Sequence, residues 1–181
     1  MTRRTGFLGA LSRLFRPATT GGAAPTSLPA ETVTAGDDRV GRAGASATTE
    51  IDPPPADGLR IGYAPARDGD PDAGEIVWTW VPYAEKDGRG KDRPVLIIGR
   101  QSDDRVFAVR LTSKSHDGDR DFLSIGGGAW DSQGRPSWVD IEQVYSVHAE
   151  GMRREASALD AERFTRVAEA LHRRYGWAIG A

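Results

Sequence analysis

An uninterrupted apolar run at residues 95–98, with the sequence Val-Leu-Ile-Ile, constrains the fold more than any other part of the chain. A strand with one exposed face would alternate apolar and polar side chains, so this run predicts a strand buried on both faces. A polar turn at residues 99–104 separates it from a second β-prone run at residues 106–109, and this arrangement predicts a β-hairpin. Because Arg93 precedes the first strand and Thr112 closes the second, antiparallel pairing would place both at the same end of the sheet.

The tryptophan and proline residues divide the chain into two parts. All five Trp residues lie at or beyond Trp78, and eight of the eleven Pro residues lie at or before Pro71. The first part has too few apolar side chains to offset the entropy lost on folding. We therefore predict a disordered linker without secondary structure at residues 18–73 and one folded domain at residues 74–181. On this interpretation, removing residues 1–73 would leave the thermal unfolding midpoint nearly unchanged.

Residues 1–17 have the pattern of a basic amphipathic helix, with apolar side chains at helical spacing and arginines around them. Such a helix can contact an anionic membrane surface or dock on a partner, and the alternative is a tail without a function. Arg13 interrupts the apolar run, so the segment predicts neither a signal peptide nor a transmembrane span. The chain contains no Cys, which excludes disulfides and is compatible with the cytoplasmic location that we expect.

Several short β-prone segments make up most of the predicted domain. Residues 75–81 predict a strand that ends at Pro82, and a polar segment that we expect to be an irregular loop connects it to Pro94. Further short strands are predicted at residues 122–125, 138–139 and 144–147. Closely spaced short strands with glycines between them are typical of a small antiparallel barrel.

The last predicted element is a helix that begins after Asp160, whose side chain can cap the first turn. Leu159 and Phe164 flank this residue in the positions of a hydrophobic staple. Apolar side chains then recur at helical spacing and form one stripe, at Phe164, Val167, Ala168, Leu171 and Tyr175. Gly176 predicts the C-terminal end of the helix.

Three sequence blocks carry a resemblance to a known family. They are GEIVWTWVPYAEKDGRGKDRPVLIIGR, VRLTSKSH and SWVDIEQVYSV, all within residues 74–175. In this order they resemble the MazF/PemK family of toxins of type II toxin–antitoxin systems. The resemblance implies a mainly-β fold, namely a small SH3-like antiparallel barrel with a C-terminal helix over one face. It also implies a sequence-selective endoribonuclease toxin without metal or cofactor. Such a toxin cleaves single-stranded mRNA to a 2′,3′-cyclic phosphate and a 5′-hydroxyl, and it inhibits growth unless an antitoxin binds it.

The resemblance assigns catalytic roles to two residues. Arg93 alone would be interpreted as a solvated residue at a strand end, but by motif position it is the family's catalytic arginine, which can neutralise a phosphorane. Thr112 alone would indicate only β propensity, whereas the Thr at this position in the family contacts the reacting phosphate. His116 and Glu85 are candidate general bases that the family pattern does not fix. The other two histidines, His148 and His172, have weaker cases.

Any nucleic-acid site must be a local patch, because the net charge of the chain is −2. Basic and aromatic residues near the predicted site are the candidates for contacts with unpaired RNA. They are Lys86, Arg89, Lys91 and Lys114 for phosphates, and Trp80, Tyr83 and Trp130 for base stacking.

Two further motifs are rejected as sites. Asp117, Asp119 and Asp121 have the spacing that opens a calcium loop, but Phe122 stands where that loop requires glycine. The glycine run at residues 126–128 lacks the residues that complete a phosphate-binding loop. The sequence therefore predicts no metal site.

Two rival functions stay open at this level. One is a binding module that keeps the barrel but has lost cleavage, and the other is a gyrase poison, against which the Arg-Pro-Val and Leu-Thr-Ser motifs argue. The predicted partners are single-stranded RNA, an antitoxin whose acidic and apolar tail lies across Arg93, a second copy in a homodimer, and operator DNA through the antitoxin complex. The physical reason for the homodimer is that a domain of about a hundred residues with five Trp should leave aromatic surface uncovered.

Overall fold

A computed structural model describes residues 40–66, 69–85 and 87–180, without the side chains of residues 155 and 156. The amphipathic helix predicted at residues 1–17 and the linker predicted at residues 18–39 lie outside the described residues. Within the described ranges, no helix is both long and apolar enough to cross a membrane. The elements are β1 (Thr49–Ile51), β2 (Arg60–Ile61), β3 (Glu75–Pro82), β4 (Gly90–Arg100), β5 (Arg105–Thr112), β6 (Phe122–Gly126), β7 (Ser137–Asp140), β8 (Val144–His148), β9 (Met152–Ala158), α1 (Ala161–Tyr175) and β10 (Ala178–Ile179).

The predicted hairpin is present as the antiparallel pair β4–β5, in which Val95 lies opposite Arg110. All four residues of the apolar run are fully buried, and they alternate between two clusters. Leu96 and Ile98 project into a larger core that includes one face of α1, whereas Val95 and Ile97 project into a smaller cluster on the other face of the sheet. The prediction of a strand buried on both faces is therefore confirmed.

The principal sheet is antiparallel and has the order β1-β8-β5-β4-β3-β9, with β7 pairing to the end of β5 and β6 pairing to β7. It curls into a half-barrel whose end strands are β1 and β9. The larger core lies between this sheet and α1. The predicted class, a mainly-β fold with a small curled antiparallel sheet and one C-terminal helix, is confirmed.

The ends of α1 follow the sequence signals. The Asp160 side chain accepts a hydrogen bond from the backbone N–H of Arg163 at 2.9 Å, which satisfies one N–H of the first turn. Gly176 has a φ of 78°, and its N–H donates to the carbonyl oxygen of His172 at 2.8 Å. Leu159 and Phe164 are both buried in the larger core. This helix could be predicted because its caps and apolar stripe are local in the sequence.

The predicted loop before Pro94 is shorter than expected, because β4 begins at Gly90. Residues 90–93 continue the ladder with β3, where Pro82 lies opposite Gly90 and Thr79 lies opposite Arg93. Polar composition suggested a loop, but a two-stranded extension of a sheet can leave polar side chains in solvent. Arg93 therefore lies inside a strand, not at a corner before one.

The predicted linker is wrong for residues 40–66, which we call the N-terminal strap. Its strand β1 pairs with β8, and its strand β2 pairs in parallel with β10. Leu59 and Ile61 belong to the larger core. The indole N–H of Trp177 donates to the carbonyl oxygen of Pro54 at 2.9 Å. The strap packs on the domain, so the expectation that residues 1–73 are dispensable for stability loses its basis.

The sequence also gave no indication of β9, which pairs with β3 and carries adjacent arginines. Arg153 forms an ion pair with Asp92, and Arg154 forms one with Glu75 at 2.6 Å. Both carboxylates come from strands that lie far away in the sequence. A charged segment therefore became a strand through tertiary pairing that local composition does not show.

The aromatic surface expected to remain uncovered is mostly packed. Trp130, Trp138 and Trp177 are buried. Among the described residues, the large hydrophobic side chains that remain exposed are Tyr63 and Ile179. The structure therefore does not support the physical argument for a homodimer, which relied on uncovered aromatic surface.

Candidate active site

A cleft of about 380 Å³ opens at the end of the β4–β5 hairpin. The structure brings Arg93 and Thr112 together there, because they lie two residues beyond the paired Val95 and Arg110. The chain segments after β5 and before β7 complete its walls. The polar and aromatic lining includes Trp78, Lys91, Asp92, Arg93, Arg110, Thr112, Ser113, Lys114, His116, Phe122, Asp131, Arg135 and Ser137.

The cleft is strongly cationic. Five Lys and Arg residues line it, against two carboxylates, Asp92 and Asp131. Both carboxylates are neutralised by arginines: Asp92 pairs with Arg153, and Asp131 pairs with Arg135 at 2.8 Å. A chain with a net charge of −2 therefore contains a local positive patch, as a nucleic-acid site in such a chain requires.

Arg93 has an environment that favours an anionic ligand. Its side chain is half-buried, and its Nε is buried without a hydrogen-bond acceptor among the described residues. Burial, followed by the positive charge of Arg110, lowers the pKa of Arg93. An unpartnered buried donor on a cation is costly, and such groups concentrate at functional sites. An anion bound in the cleft would supply the missing charge partner.

Arg110 is held by a buried carboxylate. Its Nε and Nη2 donate to Oδ2 of Asp140 at 2.8 and 2.7 Å, and the Asp140 side chain is only 2% exposed. Oδ1 of Asp140 in turn accepts from the backbone N–H groups of Glu142 and Gln143 at 2.9 and 3.3 Å. This arrangement fixes the position of the second guanidinium in the cleft.

Tyr145 is buried close to the two arginines, and its hydroxyl donates to Oε1 of Gln143 at 2.9 Å. Burial raises the pKa of Tyr145, and this effect outweighs the positive charges of Arg110 and Arg93, which lower it. The phenol therefore stays protonated at neutral pH. It belongs to the smaller core cluster and does not serve as a base.

Thr112 and His116 contribute a hydroxyl and an imidazole to the lining. The Thr112 hydroxyl oxygen accepts from the backbone N–H of Lys114 at 3.2 Å, which leaves its proton to donate elsewhere. The His116 ring stacks on Phe122 with a centroid separation of 3.5 Å, and its Nδ1 lies 3.4 Å from Oδ2 of Asp119. The contact with Phe122 positions the imidazole in the lining of the cleft.

The other predicted acid–base candidates lie outside the cleft lining. Glu85 is exposed in the segment between β3 and β4. His148 lies 3.1 Å from Asp104, and its Nδ1 accepts from the backbone N–H of Glu150. His172 contacts the carbonyl oxygen of Trp177.

The predicted RNA-contacting residues fall into two groups. Lys91 and Lys114 line the cleft, whereas Arg89, Trp80 and Tyr83 do not. Arg89 is exposed and pairs with Asp87 at 2.6 Å, and Lys86 lies outside the described residues.

Trp130 was also a candidate for base stacking, and that prediction is wrong. Its ring is buried, and its N–H donates to Oγ of Ser137 at 3.1 Å. The ring is part of the core and not a surface platform.

Sequence reasoning missed Arg110, Asp140 and Arg135. Arg110 alone had a local signal, a charged residue inside the apolar strand β5, two residues before Thr112. Asp140 and Arg135 reach the site only through the pairing of β7 with β5. Within the part of the chain that the structure describes, no group of three or more His, Asp or Glu side chains is arranged to hold a metal ion.

A family model described as a PemK-like, MazF-like toxin of type II toxin–antitoxin systems matches residues 72–174. The comparison with curated proteins gave no match.

Similar solved structures include MazE–MazF from Deinococcus radiodurans, with 20% identity over 59% of this chain and 96% of that chain and a TM-score of 0.45. The toxin MazF-mt6 from Mycobacterium tuberculosis has 19% identity over 57% and 97%, with a TM-score of 0.42. An endoribonuclease with its cognate antitoxin from a mycobacterial species has 16% identity over 59% and 96%, with a TM-score of 0.45. Because the family model matches more than half of the residues, the chain belongs to the PemK-like, MazF-like toxin family of type II toxin–antitoxin systems.

Proposed function

We propose that this protein is a sequence-selective endoribonuclease toxin of the cytoplasm that cleaves single-stranded mRNA without a metal ion and thereby inhibits growth. The observation that carries the proposal is the half-buried Arg93, whose Nε has no acceptor among the described residues, next to Arg110 and Thr112 in a cationic cleft. Membership of the toxin family supports the same function. The cleft offers positive charge and hydrogen-bond donors, which are the groups that stabilise a phosphorane.

In the proposed reaction, the ribose 2′-hydroxyl attacks the adjacent phosphorus while the bond from phosphorus to the 5′-oxygen breaks. The products are a 2′,3′-cyclic phosphate and a 5′-hydroxyl. Arg93 and Arg110 stabilise the charge that develops on the nonbridging oxygens, and the Thr112 hydroxyl donates to one of them.

Two proton transfers complete the reaction. His116 lines the cleft, whereas Glu85 does not, so we assign removal of the 2′-hydroxyl proton to His116. Arg93 donates to the departing 5′-oxygen, and its lowered pKa makes the guanidinium a better proton donor than an exposed arginine. Asp119 lies next to the His116 ring and can orient it.

Incubation of the purified protein with a long RNA in EDTA, followed by mapping of the new 5′ ends, tests this function. We expect cleavage at a restricted set of sequences and new ends that carry a 5′-hydroxyl. An Arg93→Ala protein prepared in the same way controls for contaminating nucleases. Loss of cleavage in EDTA would contradict the metal-independent mechanism, and RNA binding without cleavage would support the rival binding module.

We also propose that a cognate antitoxin neutralises the toxin by covering this cleft, and that the complex binds operator DNA. The family description supports an antitoxin partner, and the positive charge of the cleft suits an acidic tail. A peptide from that tail should suppress cleavage and protect backbone amides of β4 near Arg93 from hydrogen exchange. Protection confined to α1 would contradict occlusion.

The homodimer stays a prediction, and a monomeric mass in light scattering at low micromolar concentration would refute it.

A further inference from the structure

The N-terminal strap places a cation on an aromatic ring beside the cleft. The Arg42 guanidinium lies over the Trp80 ring, 4.9 Å from the ring centroid. Arg42 is exposed, whereas Trp80 is half-buried in β3. Arg42 precedes the family-matched region, which begins at residue 72. This contact is therefore an addition that the chain makes to the family domain.

The turn that carries Arg42 is fixed to the domain. Gly41 has a φ of +79°, and a Cβ at this position would collide with the carbonyl oxygen of Gly151 and the hydroxyl of Thr79. The carbonyl oxygen of Gly41 accepts from the N–H of Thr48 at 2.7 Å. The Thr48 and Thr79 hydroxyl oxygens lie 2.6 Å apart, in the interior. This close packing holds the backbone next to Arg42 in one place.

The sheet leaves room for the arginine at this point. β9 pairs with β3 only as far as Thr79, so β9 does not cover the edge of β3 at Trp80. On the other side of β3, Trp80 lies opposite Asp92 of β4, and Asp92 and Lys91 line the cleft. Trp80, over whose ring Arg42 lies, is therefore the direct strand-pairing neighbour of Asp92, a residue that lines the cleft.

The chemistry of the pair suits a nucleotide. The guanidinium lies over the indole ring, where a cation–π interaction favours it, and the exposed Arg42 can still donate hydrogen bonds to a phosphate. No carboxylate among the described residues pairs with Arg42, so an incoming anion would not have to displace one. The plane of an arginine guanidinium is also a common platform for an unpaired base, and here the Trp80 ring would support that guanidinium from below.

We propose that Arg42 and Trp80 form a second subsite, which binds a phosphate and the adjacent base of single-stranded RNA flanking the scissile nucleotide. This inference rests on the proposed function, because it takes the substrate to be RNA that enters the Arg93 cleft. The strap thus extends the binding track beyond the family domain. The subsite positions the RNA chain and does not touch the reacting phosphate.

Oligonucleotides with 2′-O-methyl groups test the subsite without cleavage, because the attacking hydroxyl is blocked. Fluorescence anisotropy would measure the affinity for mixed-sequence oligonucleotides of about four and about ten nucleotides at several salt concentrations. The variants are Arg42→Ala and Trp80→Leu. The matched control is Arg173→Ala, which removes one exposed charge of α1 that is not part of the cleft lining. Thermal unfolding midpoints check that the variants remain folded.

We expect Arg42→Ala to weaken binding of the longer oligonucleotide by about three- to tenfold. The slope of the logarithm of its binding constant against the logarithm of the salt concentration should also become shallower by roughly 0.7, the value for one phosphate contact on a single strand. Trp80→Leu should weaken the same oligonucleotide, and neither change should affect the shorter one. Equal effects of Arg42→Ala and Arg173→Ala would overturn the proposal. So would an unchanged affinity, or a wild-type protein that binds no oligonucleotide.

The two hypotheses fail in different ways. A protein that binds the longer oligonucleotide through Arg42 but cleaves no RNA would retain the subsite and refute the endoribonuclease. A protein that cleaves RNA through Arg93 with no contribution from Arg42 would refute the subsite alone.

Discussion

An Arg93→Ala protein is expected to lose RNA cleavage by a factor of about a hundred or more while it keeps its fold. The loss follows from the place of the guanidinium, beside Arg110 and Thr112 in a cleft that presents donors to a phosphorane. Burial and the positive charge of Arg110 both lower the pKa of Arg93, which means that the folded protein does not stabilise the charged guanidinium. The fold should therefore survive the loss of this side chain. The measurements are single-turnover cleavage rates and thermal unfolding midpoints.

Two comparison variants sharpen this prediction. Arg93→Lys keeps the charge but loses the planar fork, and we expect cleavage to stay well below that of the wild type. Thr112→Val keeps the shape but removes one hydrogen-bond donor, and we expect a smaller loss of about tenfold. Near-normal cleavage by a folded Arg93→Ala protein would remove Arg93 from the catalytic site.

The local part of the candidate site could be predicted from the sequence. Arg93 and Thr112 belong to the two strands of one hairpin, so strand pairing alone brings them together. The carboxylate that holds Arg110 could not be predicted in the same way, because Asp140 reaches β5 from β7 through a pairing of distant segments. The catalytic roles of these residues remain proposals.

The same distinction between local and distant signals applies to the fold. The buried strand and α1 carry their signals within a few residues, namely an apolar run in one case and caps with a stripe in the other. The strap has few apolar residues among many prolines and glycines, so composition predicted disorder. Its strands β1 and β2 form because β8 and β10 offer open edges. A segment of two or three residues has no periodicity from which to recognise a strand.

An Ile61→Ala protein is expected to lose about 3 kcal/mol of its free energy of unfolding, within the usual range for deletion of a buried aliphatic side chain. Ile61 is fully buried in the larger core although it lies in the predicted linker. Its carbonyl oxygen also accepts from the N–H of Gly180 at 2.6 Å. Since this bond uses the backbone, the substitution tests the side-chain packing of the strap.

Arg60→Ala is the matched control, because Arg60 is the exposed neighbour of Ile61 in the same strand. Surface substitutions of this kind usually change stability by less than about 0.5 kcal/mol. For a domain of this size, a loss of about 3 kcal/mol would lower the thermal unfolding midpoint by roughly 10 °C. Chemical denaturation of both variants distinguishes a packed strap from a disordered linker. If the segment were disordered, Ile61→Ala would change the free energy of unfolding as little as Arg60→Ala. A large effect of Ile61→Ala alone would establish that the strap is part of the folded domain, and any shortened form of the toxin would then have to retain it.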